Sequence, residues 1–336
     1  MRRYLGLMMC GWMCLGLTAT AAVTNYVWDG GTDSTPYTSW ATAAHTIADA
    51  VAAASVGDTV LVTNGTYVLT SQIEITKAIT VQSVNGRDVT FVDGNYPAVT
   101  NRCFEITGDA TLAGFTITNG LSMGIAPTNS GGGIYAHDCS VTIRDCDVSQ
   151  NSACLEAGDG GVGGGMSLVS ATIDISGCLV ARNSVDPFSS SSTPDSAAGI
   201  YIKTCAGLMN DCVISNNVMQ AGGNGTGAGI VLSGSSGTVV SNCTMVANWS
   251  SRYAGNFVDY GTFTHCLFLG NHAATAGGGL TMNNYGANVY NCTVVSNTCG
   301  TGGGAGVSAG RGNMHNTIIS YNHAGNKGAV SVLASA

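Results

Sequence analysis

Charge is what this chain has least of. Only 9% of its 336 residues are Asp, Glu, Lys or Arg, and the 11 Lys and Arg residues form no cluster. Nucleic acid and anionic membrane surfaces both require a basic footprint, so neither is expected as a partner. Proline is also scarce, at 5 residues, and no strict Gly-X-Y period appears, which excludes a collagen-like chain. Long apolar runs are missing as well. The longest, Tyr4 to Leu17, falls short of the roughly 20 residues that a membrane-spanning helix needs. It follows Arg2 and Arg3 and precedes Ala19-Thr20-Ala21, the layout of a secretory signal with a small-residue cleavage site. Residues 1–21 are therefore expected to be removed, and the rest exported to the outside or surface of a bacterial cell, with no transmembrane segment.

What the chain has in abundance is glycine, 48 residues, together with 13 cysteines. Both recur in a fixed sentence. A glycine cluster such as Gly131-Gly132-Gly133 opens a short apolar strand, and a Cys-x-apolar-x-x-Asn rung follows. The rungs run Cys146 to Asn151, Cys178 to Asn183, Cys212 to Asn217, Cys243 to Asn248, Cys266 to Asn271 and Cys292 to Asn297. A seventh copy reads as Asn316 in the Cys place and Tyr321 in the Asn place, and Phe115 to Asn119 as a shortened first version. Self-similarity at a period of roughly 20–50 residues marks a solenoid. The prediction is an all-β parallel β-helix with regular coils from about residue 131.

Alternation along each strand turns the Cys and the apolar residue two later inward. Cys10 and Cys14 leave with the signal, and the odd remainder argues against a complete disulfide framework. Parallel Cβ vectors one strand apart suit a stack of free, buried thiols better than a chain of bridges. The Asn column is expected at a turn, in a left-handed conformation, with side-chain amides hydrogen-bonded along the axis. The glycines are expected to allow a sharp entry into each strand.

Residues 22–57 read differently. After a strand around Tyr26-Val27-Trp28, the apolar residues Trp40, Ala44, Ile47, Val51 and Ala54 recur at helical spacing. The spacing predicts a helix over Trp40–Ala54, N-capped by Ser39 and stopped by Gly57. It would cap the open end of the solenoid, which occupies residues 58–336. Segments after three of the asparagines (152–162, 184–197 and 218–226) read as insertions emerging on one side. Gly328 to Leu333 begins a further coil, and with no capping segment after it the chain is expected to belong to a longer protein.

Candidate chemistry is thin. Asp145 and Asp147 flank Cys146 and are expected to share an outward strand face, with Asp211 in the same column. Such acids hold Ca²⁺ or act as an acid/base pair; they also serve simply as a solvated face. Tyr135 and Tyr201 share an outward column and suggest a platform for sugar rings. Gly222 to Gly227 nearly spells a calcium-binding nonapeptide, but Gly227 stands where the ligating Asp belongs, so no metal or other cofactor is expected from a motif.

Gly-Gly-Gly-Ile134 with Val148-x-x-Asn151, and above all Phe268-Leu269-Gly270-Asn271, resemble the paired repeats of chlamydial polymorphic outer-membrane proteins. More broadly, Ser39 to Ala44 followed by Gly57 to Val62 and Asn64 to Tyr67 is similar to the opening of secreted right-handed parallel β-helix proteins of the pectin-lyase-like superfamily. That resemblance implies a right-handed coil and, often, enzymes acting on acidic polysaccharides. The Asn-Thr-Asp, Asp-Asp, Gly-His-Gly and Arg-Ile-Lys motifs of its galacturonan hydrolases do not occur here. The expected function is therefore an exported, non-catalytic stalk or adhesion-type passenger that contacts extracellular polysaccharide or a surface protein. The alternative is a polysaccharide lyase or glycoside hydrolase on the same scaffold.

Overall fold

The computed structural model describes residues 21–124, 130–155, 162–187, 196–220, 226–325, 328 and 330–332. Residues 1–20 of the proposed signal lie outside them, as do the central residues of the three insertions. Three parallel sheets of 10, 11 and 10 strands run along the molecule, and a fourth of 8 strands joins them from Leu121–Ser122 onward, after which each coil contributes a strand to each sheet in turn. The coil of the opening motif shows the order: Ile134–His137 in the first sheet, Ser140–Arg144 in the second, Asp147–Ser149 in the third and Ser152–Leu155 in the fourth. All pairings in the sheets are parallel and between neighbouring coils. The segments read as insertions thus begin with fourth-sheet strands, because backbone groups leaving the Asn corner pair with the coil beside them. Val330–Val332 pairs with Val307–Ala309, so a further coil does begin there.

One continuous apolar core fills the interior, from Val27 to Val307. Its most regular line is the thiol column. Cys146, Cys178, Cys212, Cys243, Cys266 and Cys292 are all buried, and all eleven cysteines among the described residues are free. The residue before each of them is left-handed, for example Asp145 at φ 53° and Asp211 at φ 55°. That corner tilts the next backbone N–H along the axis. Cys178 and Cys212 each donate theirs to the sulfur one coil on, at 3.4 Å. A thiol is apolar enough for the core and still a weak acceptor, which valine is not.

The asparagines form the second column, and here the structure corrects the sequence. Asn151, Asn183, Asn217, Asn248, Asn271 and Asn297 are buried, and none is left-handed; the preceding residue is, as at Gln150 (φ 59°) and Arg182 (φ 56°). Each side chain serves two coils. Asn183 Oδ1 accepts from the backbone N–H and the Nδ2 of Asn151 at 3.0 and 3.2 Å, while its own Nδ2 donates to Asn217 Oδ1 at 3.0 Å and to Val148 O at 2.8 Å. The line continues through Asn248, Asn271 and Asn297 to Asn322. The seventh rung is therefore Thr317 to Asn322, one residue later than the sequence reading, because Asn316 (φ 49°) and Tyr321 (φ 53°) occupy the left-handed places. The shortened first rung has the same cause. Asn119 (φ 55°) is left-handed, and Gly120 stands in the ladder position, its N–H donated to Asn151 Oδ1 at 2.9 Å.

The ladder also explains the glycines. A Cβ on Gly133 would lie 2.9 Å from Asn151 Nδ2, and on Gly165 2.8 Å from Asn183 Nδ2. The third glycine of each cluster is thus required by the amide packed on it. Close approach, more than a sharp entry, couples the two halves of the repeat.

The N-terminal cap is shorter than the periodicity predicts. Ser39 caps only a 3₁₀ turn, Trp40–Thr42, and the helix proper is Ile47–Ala53, capped by Thr46. Between them Ala44 is held extended against the first strand, accepting from Trp28 N and donating to Tyr26 O, both at 2.9 Å. Ile47, Ala50 and Val51 close the core. At the helix C-terminus, Lys77 Nζ donates to the carbonyls of Val51, Ala52 and Ala54 at 3.2, 2.8 and 2.6 Å, a cation at the negative end of the helix dipole.

Candidate functional site

The outer face of the first sheet gathers ionisable side chains at its N-terminal end. Strands Ile73–Ile75, Phe104–Ile106 and Ile134–His137 pair so that Glu74, Glu105 and Tyr135 form one column. Alternation sends Ile73, Ile75, Phe104 and Ile106 into the core. One amide ties the two carboxylates together: Gln72 Nε2 donates to Glu74 Oε1 at 3.1 Å and to Glu105 Oε2 at 2.7 Å. Arg102 Nη1 lies 3.4 Å from Glu105 Oε2, and its guanidinium sits 4.8 Å from the centre of the Tyr135 ring. His137 stacks on the other side of that column, 4.6 Å from the Tyr135 centroid, with Nε2 3.6 Å from Glu105 Oε1 and Nδ1 3.0 Å from Asp138 Oδ2.

Glu105 is thus the hub, touched by an amide, a guanidinium and an imidazole. Burial pulls the Arg102 guanidinium below its ordinary value and Glu105 pulls it back up. Burial likewise raises the Tyr135 phenol, opposed by Arg102. Beside the cluster lies an open cavity of about 560 Å³, walled by segments 70–72, 99–102 and 121–123 and by Glu105. A second, of about 480 Å³, runs between Gln72, Glu74 and the cap helix. Ser71 and Gln72 line both, with Glu105 on the first and Glu74 on the second, and these two adjacent clefts are the first-sheet groove.

Farther along, the same column changes character. Tyr201, Val231 and Phe257 follow in register and pack outside the sheet with Ala197 and Ala254 in a sealed apolar cluster. A two-stranded sheet, Val162–Gly163 with Ser196–Ala197, lies over this region. Tyr135 and Tyr201 do share a column two coils apart, as the sequence indicates, but they form no sugar platform: Tyr201 is fully buried and Tyr135 is covered by Arg102 and His137.

The three aspartates fall elsewhere. Asp145 is the left-handed corner residue between the second and third sheets, so it does not share a strand with Asp147, which opens the next one. Asp145 and Asp211 are in one column, with Gly177 between them leaving room for the Asp145 carboxylate. Asp211 accepts from Asn210 Nδ2 at 2.5 Å and from Asn242 Nδ2, extending a polar corner stack. Asn316 continues that stack, donating to Asn291 Oδ1 at 3.3 Å. These residues finish a bend and line neither of the two clefts described above. Among the described residues no group of three or more His, Cys, Asp or Glu is arranged to hold a metal ion. Most of the near-nonapeptide at Gly222 lies outside the described residues.

The groove residues escaped sequence reading because they precede the regular coils. The signal was there in two apolar-Glu-apolar strands, Ile73-Glu74-Ile75 and Phe104-Glu105-Ile106, one coil apart.

No protein-family model matches the chain, and no curated protein matches it. Solved structures do. The chain is similar to the pectate lyase Pel9A with a TM-score of 0.51 and 18% identity, covering 94% of this chain and 78% of that one. A pectin methylesterase in complex with hexasaccharide VII aligns with a TM-score of 0.48 at 12% identity over 94% of both chains. The pectin methylesterase PemA from Erwinia chrysanthemi aligns at 0.45 and 11% identity, again over 94% of each. At this identity the likeness to the pectate lyase defines the fold alone: a right-handed parallel β-helix with an N-terminal capping helix.

Proposed function

We propose that the chain is an exported polysaccharide-active enzyme of the glycoside hydrolase type, working in the first-sheet groove. The observation that carries this is the Gln72-bridged pair of glutamates. A single nitrogen in contact with both holds the facing oxygens less than about 6 Å apart, a range that includes the ~5–5.5 Å that retaining glycosidases use. In this reading Glu105, with Arg102 and His137 beside it, attacks the anomeric carbon. Glu74, more exposed, protonates the departing oxygen and then takes a proton from the water that releases the sugar. The groove gives an extended chain room on both sides of the pair. The pectin-lyase-like fold supports the reading only by analogy.

The test is release of reducing ends from a polysaccharide panel by the exported chain. Glu105→Gln and Glu74→Gln should each lower turnover by about 10²-fold or more. Undiminished turnover in both variants would remove the pair from the mechanism.

The second reading is a non-catalytic surface passenger, favoured by the repeat resemblance at Gly133-Ile134 and Phe268-x-x-Asn271. Retention on cells or glycan without any product, unaffected by either Gln variant, would select it.

A further inference from the structure

Resting on the groove reading, we infer that the polymer it accepts is an uncharged glycan, in contrast to a polyuronate. The argument is the disposition of charge. A uronate chain brings a carboxylate on every sugar, and binding it requires cations that are available to those carboxylates. The groove has two basic side chains, and both are already committed. Arg102 is buried against Glu105 and Tyr135. Lys77 is spent on three carbonyls of the cap helix. What faces the open space is the glutamate pair: even with Glu74 holding the proton it delivers, Glu105 keeps its negative charge, and Glu74, exposed and accepting from the Gln72 amide, supplies no cation. Asp138, also exposed, adds negative charge at the edge behind His137. Like charges in a partly desolvated cleft repel strongly enough to reject a ligand. The remaining lining of the first cleft is uncharged: Thr70, Ser71 and Thr100 offer hydroxyls and Asn101 its amide oxygen, beside the apolar Val99, Leu121 and Met123. Hydroxyl-rich, charge-free sugars match that surface, and Glu74 and Glu105 become acceptors for sugar O–H groups.

The experiment is affinity electrophoresis and calorimetry of the exported chain. The panel is a galactan, a xyloglucan and an arabinoxylan, polygalacturonate with and without Ca²⁺, and chitosan. At least one neutral polymer should bind, with an affinity that changes less than about twofold between ~0.05 and ~0.5 M salt. Gln72→Ala should weaken that binding about tenfold, and Glu74→Lys should confer polygalacturonate binding that the parent lacks. Preferred binding of polygalacturonate, with or without Ca²⁺, or of chitosan with steep salt dependence, would overturn the inference. If such binding is lost in Gln72→Ala, the groove reading survives and only the substrate class falls. If no polymer binds, both fall together.

Discussion

Tyr135 and Tyr201 are the same residue in the same column of the same sheet, two coils apart, and they lead opposite lives. Tyr135 stands among a guanidinium, an imidazole and a carboxylate beside an open groove. Tyr201 lies in a dry cluster of Ala197, Val231, Ala254 and Phe257. Register decides which face a side chain takes, and that much the repeat dictates. What lies over the face is decided by chain that the repeat does not encode: the strand pair Val162–Gly163 and Ser196–Ala197 in one case, the irregular early coils in the other. The solenoid thus has one long outer face with two environments, a closed middle and an open N-terminal end.

Removing the two rings should separate these environments. Tyr201→Ala opens a cavity in a packed apolar cluster and should cost about 3–5 kcal/mol, read from the shift in denaturation midpoint. Tyr135→Ala should cost about 1–2 kcal/mol, because Arg102 and His137 can turn toward water, but it should weaken groove binding strongly. Equal stability losses would erase the contrast. In the interior beneath both regions, Asn217→Ala removes an acceptor for the N–H and Nδ2 of Asn183 and should cost about 2–3 kcal/mol. The same change at Asn322, whose column partner lies on one side only in the described coils, should cost about 1 kcal/mol. The smallest effect belongs to the corner. Asp145→Ala should change stability by less than about 0.5 kcal/mol and leave glycan turnover untouched, since that carboxylate lies outside the first-sheet groove. A turnover loss there would return the corner acids to the mechanism.

The repeat made the fold legible from residues alone. Cys-x-apolar-x-x-Asn gave the inward columns, and stacking made the free thiols and the amide ladder readable, since both follow from alternation and parallel register. Three features were not legible, each for a physical reason. The left-handed corner residues differ in identity, from Asp145 to Ala247 to Tyr321, so no residue type marked them and the last rung was placed one residue early. The cap helix was overextended because Ala44 satisfies helical spacing while its backbone is claimed by a strand. The groove went unseen because Gln72, Glu74, Arg102 and Glu105 come from coils without the Gly and Cys signature, and only strand pairing unites them.

The asparagine ladder has a consequence for how such a molecule changes over generations. Every amide in it points the same way, giving to the coil ahead what it takes from the coil behind. A whole coil lost or duplicated between two ladder positions rejoins donor to acceptor with nothing left over, whereas a fragment of a coil strands both. Length is therefore free to drift in whole steps while the interior stays intact, and the N-terminal end, where the groove sits, is insulated from that drift.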